Sequence, residues 1–138
     1  MNDQPYALEP VGWVESPLVD RKTAPRQGNE GSPDAWVSFD ARFREAIRDL
    51  TVGEEIIVLT WLDRARRDVL LVHPRWAEGD RLYGVFSTRS PDRPNPIGLH
   101  RVTILAVDGT RIQVRDLEAL NGTPIVDVKP VLDPRVER

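Results

Sequence analysis

The sequence predicts a mainly β domain, a barrel or curled sheet with one flanking α-helix. Three observations lead there. Helical periodicity is convincing in one segment. Short apolar runs rich in β-branched residues then follow one another with no helix between them, and turn-forming residues separate those runs. At 138 residues and 15.7 kDa the chain has the size of one domain.

In chain order, Leu8–Pro17 reads as a short strand closed by a proline turn. Asp20–Asp34, DRKTAPRQGNEGSPD, is a polar loop rich in proline and glycine, and loops of that length in compact domains are usually functional or disordered. Phe43, Ala46, Ile47 and Leu50 then recur at i, i+3, i+4 and i+7, which predicts an amphipathic helix capped by Asp40 and stopped by Gly53. Strands follow at Glu55–Leu62, Val69–Val72 and Leu82–Phe86. Val102–Val107 and Arg111–Arg115 flank Asp108-Gly109, a strong hairpin signal. A last strand, Ile125–Val128, follows the turn Asn121-Gly122-Thr123-Pro124.

Composition excludes several chemistries. With no cysteine there is no thiolate nucleophile, disulfide framework, zinc ribbon or iron–sulfur cluster, and two histidines, His73 and His100, do not make a multi-histidine metal centre. The expectation is no metal. The opening MNDQPYALEP lacks the basic and apolar regions of a signal peptide, and no apolar run approaches the ~18 residues of a membrane span. A cytoplasmic protein with no membrane contact is expected. A net charge of −3 argues against a general nucleic-acid coat. All the basic residues except Lys22 and Lys129 are arginine, which fits either a GC-rich genome or a use for planar guanidinium forks. Neither a glycine-rich dinucleotide fingerprint nor a Walker lysine motif is present.

The densest chemical signal is Phe86-Ser87-Thr88-Arg89-Ser90-Pro91-Asp92-Arg93-Pro94-Asn95-Pro96-Ile97-Gly98-Leu99. Three prolines within six residues hold the backbone extended, so the loop loses little entropy on meeting a ligand. Two arginines, three hydroxyls and an amide supply polar contacts, and Gly98 permits close backbone approach.

The string STRSPDRPNPIGL resembles the signature loop of the TsaA-like (TrmO-type) family of S-adenosylmethionine-dependent methyltransferases. Val11-Gly12 leading to Ser16-Pro17, Pro25-Arg26-Gln27, and Asn121-Gly122-Thr123-Pro124-Ile125-Val126-Asp127-Val128-Lys129-Pro130 are similar to the family's other marks. The resemblance spans about residues 8 to 133 and implies a single-sheeted β-barrel acting as a homodimer. It implies S-adenosyl-L-methionine as cofactor and methylation of N6-threonylcarbamoyladenosine 37 in the anticodon loop of threonine tRNA. The implied cofactor contacts are Pro25, Arg26 and Gln27, then Asp63 and Arg64, then Arg89 and Leu99, and finally Glu118, Ala119, Leu120 and Asn121. The chain departs from the pattern at Asp63, where the family often has histidine, at Asp92, where an aromatic residue is common, and at Val131 in place of tyrosine. Residues 1–138 are read as one domain without the second C-terminal domain of longer members. Methylation of a small molecule, or cofactor binding without catalysis, are the alternatives.

Transfer to an acylated N6 needs help in removing its proton, and Asp63, His100 and Asp127 are candidate acceptors among which the sequence does not choose. Arg64-Ala65-Arg66-Arg67 is the best basic patch, readable as RNA-phosphate binding or as a solvated loop offset by Asp63 and Asp68. Arg93 is expected to serve the loop or RNA, and Arg89 the cofactor. Trp13, Trp36 and Trp61 are expected in the core, and Trp76 exposed.

Overall fold

The computed structural model describes residues 5–19 and 33–132. Its strands are β1 (Gly12–Glu15), β2 (Ala35–Phe39), β3 (Glu55–Trp61), β4 (Leu71–Val72), β5 (Tyr83–Gly84), β6 (Ile97–Asp108), β7 (Arg111–Arg115) and β8 (Pro124–Pro130). Six form one antiparallel sheet in the order β1-β2-β7-β6-β3-β8. The sheet closes on itself, because β8 pairs with β3 on one side and with β1 on the other, through Gly12↔Ile125 and Trp13↔Pro124. The short β4 and β5 pair separately.

Strand alternation sorts the side chains. On β3, Ile56, Val58 and Thr60 face inward; on β6, Gly98, His100, Val102 and Ile104 do. The register sets Ile56 opposite Val102, Val58 opposite His100, and Thr60 opposite Gly98. Val14, Val37, Ile112, Val114 and Ile125 complete the apolar interior. Burying each such side chain contributes roughly 1.5–3 kcal/mol over leaving it in water. The row is apolar along most of its length and turns polar at one end, at Thr60 and His100. That end lies at the candidate site.

The predicted α-helix is instead a 3₁₀ segment, Ala41–Ile47, with non-helical geometry at Phe43. Asp40 caps it by accepting from the Arg42 backbone N–H at 3.1 Å, but the later bonds run over three residues, as in Arg48 N–H to Glu45 O. Of the four stripe residues Ile47 alone is fully buried, so packing does not reward a full α-helical turn. β2 is a strand that the sequence reading does not predict. The β6–β7 hairpin turns at Gly109, whose φ of +60° suits a residue without a side chain. Trp13 lies on the outward row of β1 at 41% exposure, contrary to the core expectation. Trp36 and Trp61 lie partly exposed beneath the guanidinium groups of Arg111 and Arg67. Trp76 is exposed, as expected, and tilts against Tyr83.

Candidate functional site

A cleft of about 1460 Å³ opens where the signature loop, the turn after β3, the β4–β5 hairpin and the segment after β7 meet. Each wall is held by contacts readable from its residues.

The signature loop is pinned from within. After the 3₁₀ turn Val85–Ser87, Thr88 donates to Val85 O from both its backbone N–H (3.0 Å) and its hydroxyl (2.9 Å). The Arg93 guanidinium reaches back under the loop and donates to three carbonyl oxygens: Ser90 O at 2.7 Å, Val85 O at 2.7 Å and Thr88 O at 2.5 Å. The turn after β3 holds the same loop from outside. Leu62 N–H donates to Pro96 O, Arg93 N–H to Arg66 O, and Arg66 N–H to an Asp92 carboxylate oxygen. Arg67 donates to Pro94 O at 2.7 Å and to the Asn95 side-chain oxygen at 3.0 Å. The basic patch is thus largely structural: Arg67 tethers the loop, and Arg66 pairs with Asp68 at 3.0 Å.

Arg89 differs from both. It is exposed, lines the cleft, and has no hydrogen bond or ion pair among the described residues. A guanidinium with unengaged donors, on backbone fixed by its neighbours, suits a carboxylate or hydroxyl acceptor on a ligand.

The opposite wall follows β7. Asp116 takes φ +72°, a left-handed conformation that aspartate tolerates better than most residues, and the chain turns there into Leu117, Glu118 and Ala119. Leu117 and Ala119 go to the core, whereas Glu118 lines the cleft with its side chain 18% exposed. One Glu118 oxygen lies 2.5 Å from His100 Nδ1, and His100 Nε2 lies 2.7 Å from the buried Thr60 hydroxyl. Thr60 and His100 sit on inward rows next to Gly98. A Cβ at Gly98 would stand 2.4 Å from Thr60 Oγ1 and 2.7 Å from His100 Nε2, so the position requires glycine.

The expected cofactor contacts divide as follows. Asp63, Arg64, Arg89, Leu99, Glu118, Ala119 and Leu120 all line this cleft, although Ala119 is almost wholly buried. Asn121 does not line it. Its side-chain oxygen accepts from Ser16 N–H at 3.1 Å and its own N–H donates to Leu18 O at 2.7 Å, so it ties the segment to the chain beyond β1. Pro25, Arg26 and Gln27 lie outside the described residues. Among the candidate proton acceptors, Asp63 and His100 line the cleft. Asp127 lines a separate pocket of about 300 Å³ and stands 3.4 Å from Lys129 Nζ.

The Thr60–His100–Glu118 chain was not assembled from sequence. The signal was available: inward parity on β3 and β6 places a threonine and a histidine in an otherwise apolar row. At the rim, Glu55 and Arg101 form a bidentate pair, at 2.8 Å for its shorter bond. The Arg101 hydrogen bond, reinforced by its charge, holds the Glu55 carboxyl below the usual glutamate range. Among the described residues no group of three His, Asp or Glu side chains is placed to hold a metal, and no helix is long and apolar enough to cross a membrane.

Known proteins resemble this chain in sequence and in fold. The chain is 42% identical over 130 residues to a probable S-adenosyl-L-methionine-binding protein of Methanothermobacter thermautotrophicus, covering 94% of this chain and 93% of that one. It is 43% identical over 122 residues to an S-adenosyl-L-methionine-binding protein of Archaeoglobus fulgidus, covering 88% and 86%. A longer probable S-adenosyl-L-methionine-binding protein of that organism is 44% identical over 123 residues, 89% of this chain but 33% of its own length. A crystal structure of TrmO from Pseudomonas aeruginosa superposes with a TM-score of 0.74 at 25% identity, over 94% of this chain and 57% of that one. Another TrmO structure gives 0.76 at 25% identity, over 97% and 60%, so this chain spans somewhat over half the length of those solved proteins. The model of the tRNA-methyltransferase O N-terminal domain matches residues 13–134, and the chain belongs to that family.

Proposed function

We propose that this chain binds S-adenosyl-L-methionine in the cleft and transfers its methyl group to N6 of N6-threonylcarbamoyladenosine 37 in threonine tRNA. The observation that carries the reading is Arg89, unengaged and aligned by a loop that Arg93 and Arg67 hold in place. The donor set fits the cofactor: a free guanidinium suits its carboxylate, and the Glu118 carboxylate suits its hydroxyl or amino donors. Arg64, Leu99 and Leu120 would complete its enclosure, with Pro25, Arg26 and Gln27 as further contacts. When bound, the cofactor supplies an electrophilic methyl carbon on a sulfonium.

The protein's contribution is placement and one proton. Walls braced by these contacts would orient the acceptor nitrogen toward the methyl group, a gain in effective concentration that needs no covalent help. The N6 proton must leave as the nitrogen attacks. His100 has both ring nitrogens engaged and Asp127 lies in another pocket, so Asp63, exposed at the cleft in the turn after β3, is the proton acceptor in this reading. The closed sheet serves as a β-barrel scaffold in the cytoplasm. A homodimer would cover exposed apolar side chains such as Leu71, Leu82 and Phe86, which are 58%, 55% and 84% exposed.

A second reading, methylation of a small acceptor, is favoured by the internal engagement of Arg66 and Arg67, which leaves less cationic surface for RNA phosphates. Mass spectrometry of tRNA nucleosides from a deletion strain separates the two. Loss of the N6-methylated nucleoside, restored by the wild-type gene, supports the tRNA reading. Unchanged tRNA nucleosides overturn it.

A further inference from the structure

We propose that His100 is a positioning residue whose Nδ1–H holds the Glu118 carboxylate in the cleft as an acceptor for a ligand hydroxyl or amino group. The inference rests on the reading that the cleft takes S-adenosyl-L-methionine. It adds a role for a side chain that neither the resemblance nor the relatives assign.

The hydrogen-bond directions follow from what each group can do. A glutamate carboxylate only accepts, so the 2.5 Å contact requires the proton on His100 Nδ1. With the imidazole in its neutral form, Nε2 carries a lone pair, and the Thr60 hydroxyl, 2.7 Å away with no other partner among the described residues, donates to it. The chain Thr60→His100→Glu118 therefore runs in one direction and ends on the carboxylate. His100 is 5% and Thr60 0% exposed, so these groups have no water to turn toward. Gly98 closes the third side of the imidazole: any larger residue would strike both Thr60 and His100. The ring has one orientation, and so does the carboxylate it holds.

Folding alone does not call for this arrangement. Along the same inward rows Ile56, Val58, Val102 and Ile104 fill the interior with apolar groups. Continuing that pattern through the last positions would avoid burying a histidine and a hydroxyl altogether. The polar chain appears only at the cleft end, and its terminal carboxylate is the member that reaches the cleft. An acceptor at this point favours ligands that present an O–H or N–H there and disfavours a carbonyl or phosphate oxygen.

The test compares His100→Asn and His100→Gln. Asparagine keeps a donor near the place of Nδ1 and loses the Thr60 contact. Glutamine keeps a group near the place of Nε2 and loses the donor to Glu118. Dissociation constants for S-adenosylhomocysteine are measured by titration calorimetry, with folding checked by circular dichroism. His100→Gln is expected to weaken binding about tenfold, the scale of one lost hydrogen bond to a charged group, and His100→Asn less than threefold. In a Glu118→Gln background His100→Gln is expected to add no further loss. 5′-Methylthioadenosine, which lacks the amino-acid moiety, locates the donor: a retained His100→Gln effect places it on the nucleoside, and a vanished one on the α-amino group. A folded His100→Gln that binds like wild type overturns the proposal, as do fully additive losses in the double variant. In ligand-free protein, a histidine nitrogen spectrum showing the proton on Nε2 rather than Nδ1 overturns it independently. Absence of binding by wild type overturns the cofactor reading itself, and the proposal with it.

Discussion

Replacing Arg93 with methionine isolates what holds the signature loop. Methionine keeps much of the aliphatic stem and removes a guanidinium that donates to Ser90 O, Val85 O and Thr88 O. A hydrogen bond from a charged donor contributes ~1.5–3 kcal/mol when its partner is poorly solvated. The three bonds here are not independent, and the full sum does not apply. Val85 O retains the Thr88 backbone and hydroxyl donors, and the part-buried Ser90 and Thr88 carbonyls can turn toward water. A loss of about 2–4 kcal/mol follows, nearer the value of one or two bonds than of three. In urea this lowers the unfolding midpoint by roughly 1–2 M at the slope of ~2 kcal/mol per molar usual for small domains. Tryptophan fluorescence reads the midpoint, and amide hydrogen exchange over residues 85–96 reads the loop. The loop amides should exchange much faster than in wild type, while those of β3 and β6 speed up only in proportion to the loss of global stability. An unchanged midpoint with unchanged loop exchange would show that the guanidinium does not hold the loop.

Arg89→Lys should leave the unfolding midpoint within experimental scatter and weaken S-adenosylmethionine binding roughly ten- to a hundredfold by calorimetry, the value of one charge-assisted contact at ~1.5–3 kcal/mol; equal affinity would remove Arg89 from the site. Gly98→Ala should destabilise by about 1–3 kcal/mol through overpacking against Thr60 and His100, and Thr60→Ala should recover part of that loss in the double variant. For Glu55, the side-chain titration followed by NMR should have its midpoint below the ordinary 4.5, returning toward it in Arg101→Gln. Because the folded pKa is the lower one, the stabilisation by this pair is present above the unfolded value and fades as pH falls through the folded one. A midpoint at or above 4.5 in wild type would contradict the pair.

Local chemistry made some of this fold legible in the sequence. Arg111–Arg115 is a strand over the predicted residues, because an Asp-Gly turn and clean alternation specify the hairpin from nearby positions. Phe43, Ala46 and Leu50 have helical spacing but not the burial that would reward an α-helix, so a 3₁₀ segment stands there instead. Ala35–Phe39 alternates in burial, but the apolar Trp36 on its outward row blurs that pattern in the sequence, and its partners are distant along the chain. The signature loop was visible, yet the division of labour within it was not. Arg89 and Arg93 sit in similar proline-flanked surroundings, and only the folded backbone turns one inward to three carbonyls and leaves the other facing the cleft. Likewise Arg66 and Arg67 read as a basic surface until the loop they brace is in place. Asn121 belongs to a cofactor-contact run by resemblance, but here its amide fastens the chain beyond β1.

The closure of the sheet through β8 has a consequence for how the domain is made. β8 is the last described strand in sequence, yet it lies between β3 and β1, and its contact with β1 joins Gly12 to Ile125. During synthesis the hairpin of β6 and β7 can pair as soon as it emerges, but β1 and β3 each wait with one edge unsatisfied until β8 arrives. Ring closure over so long a stretch of chain carries a large entropy of loop formation and comes late. Ala119, Leu120 and Thr123, on the cleft wall, lead directly into that strand. An incompletely synthesised chain would expose open strand edges and lack a finished wall, so ligand-binding competence and protection from edge-to-edge association arrive together with the final strand.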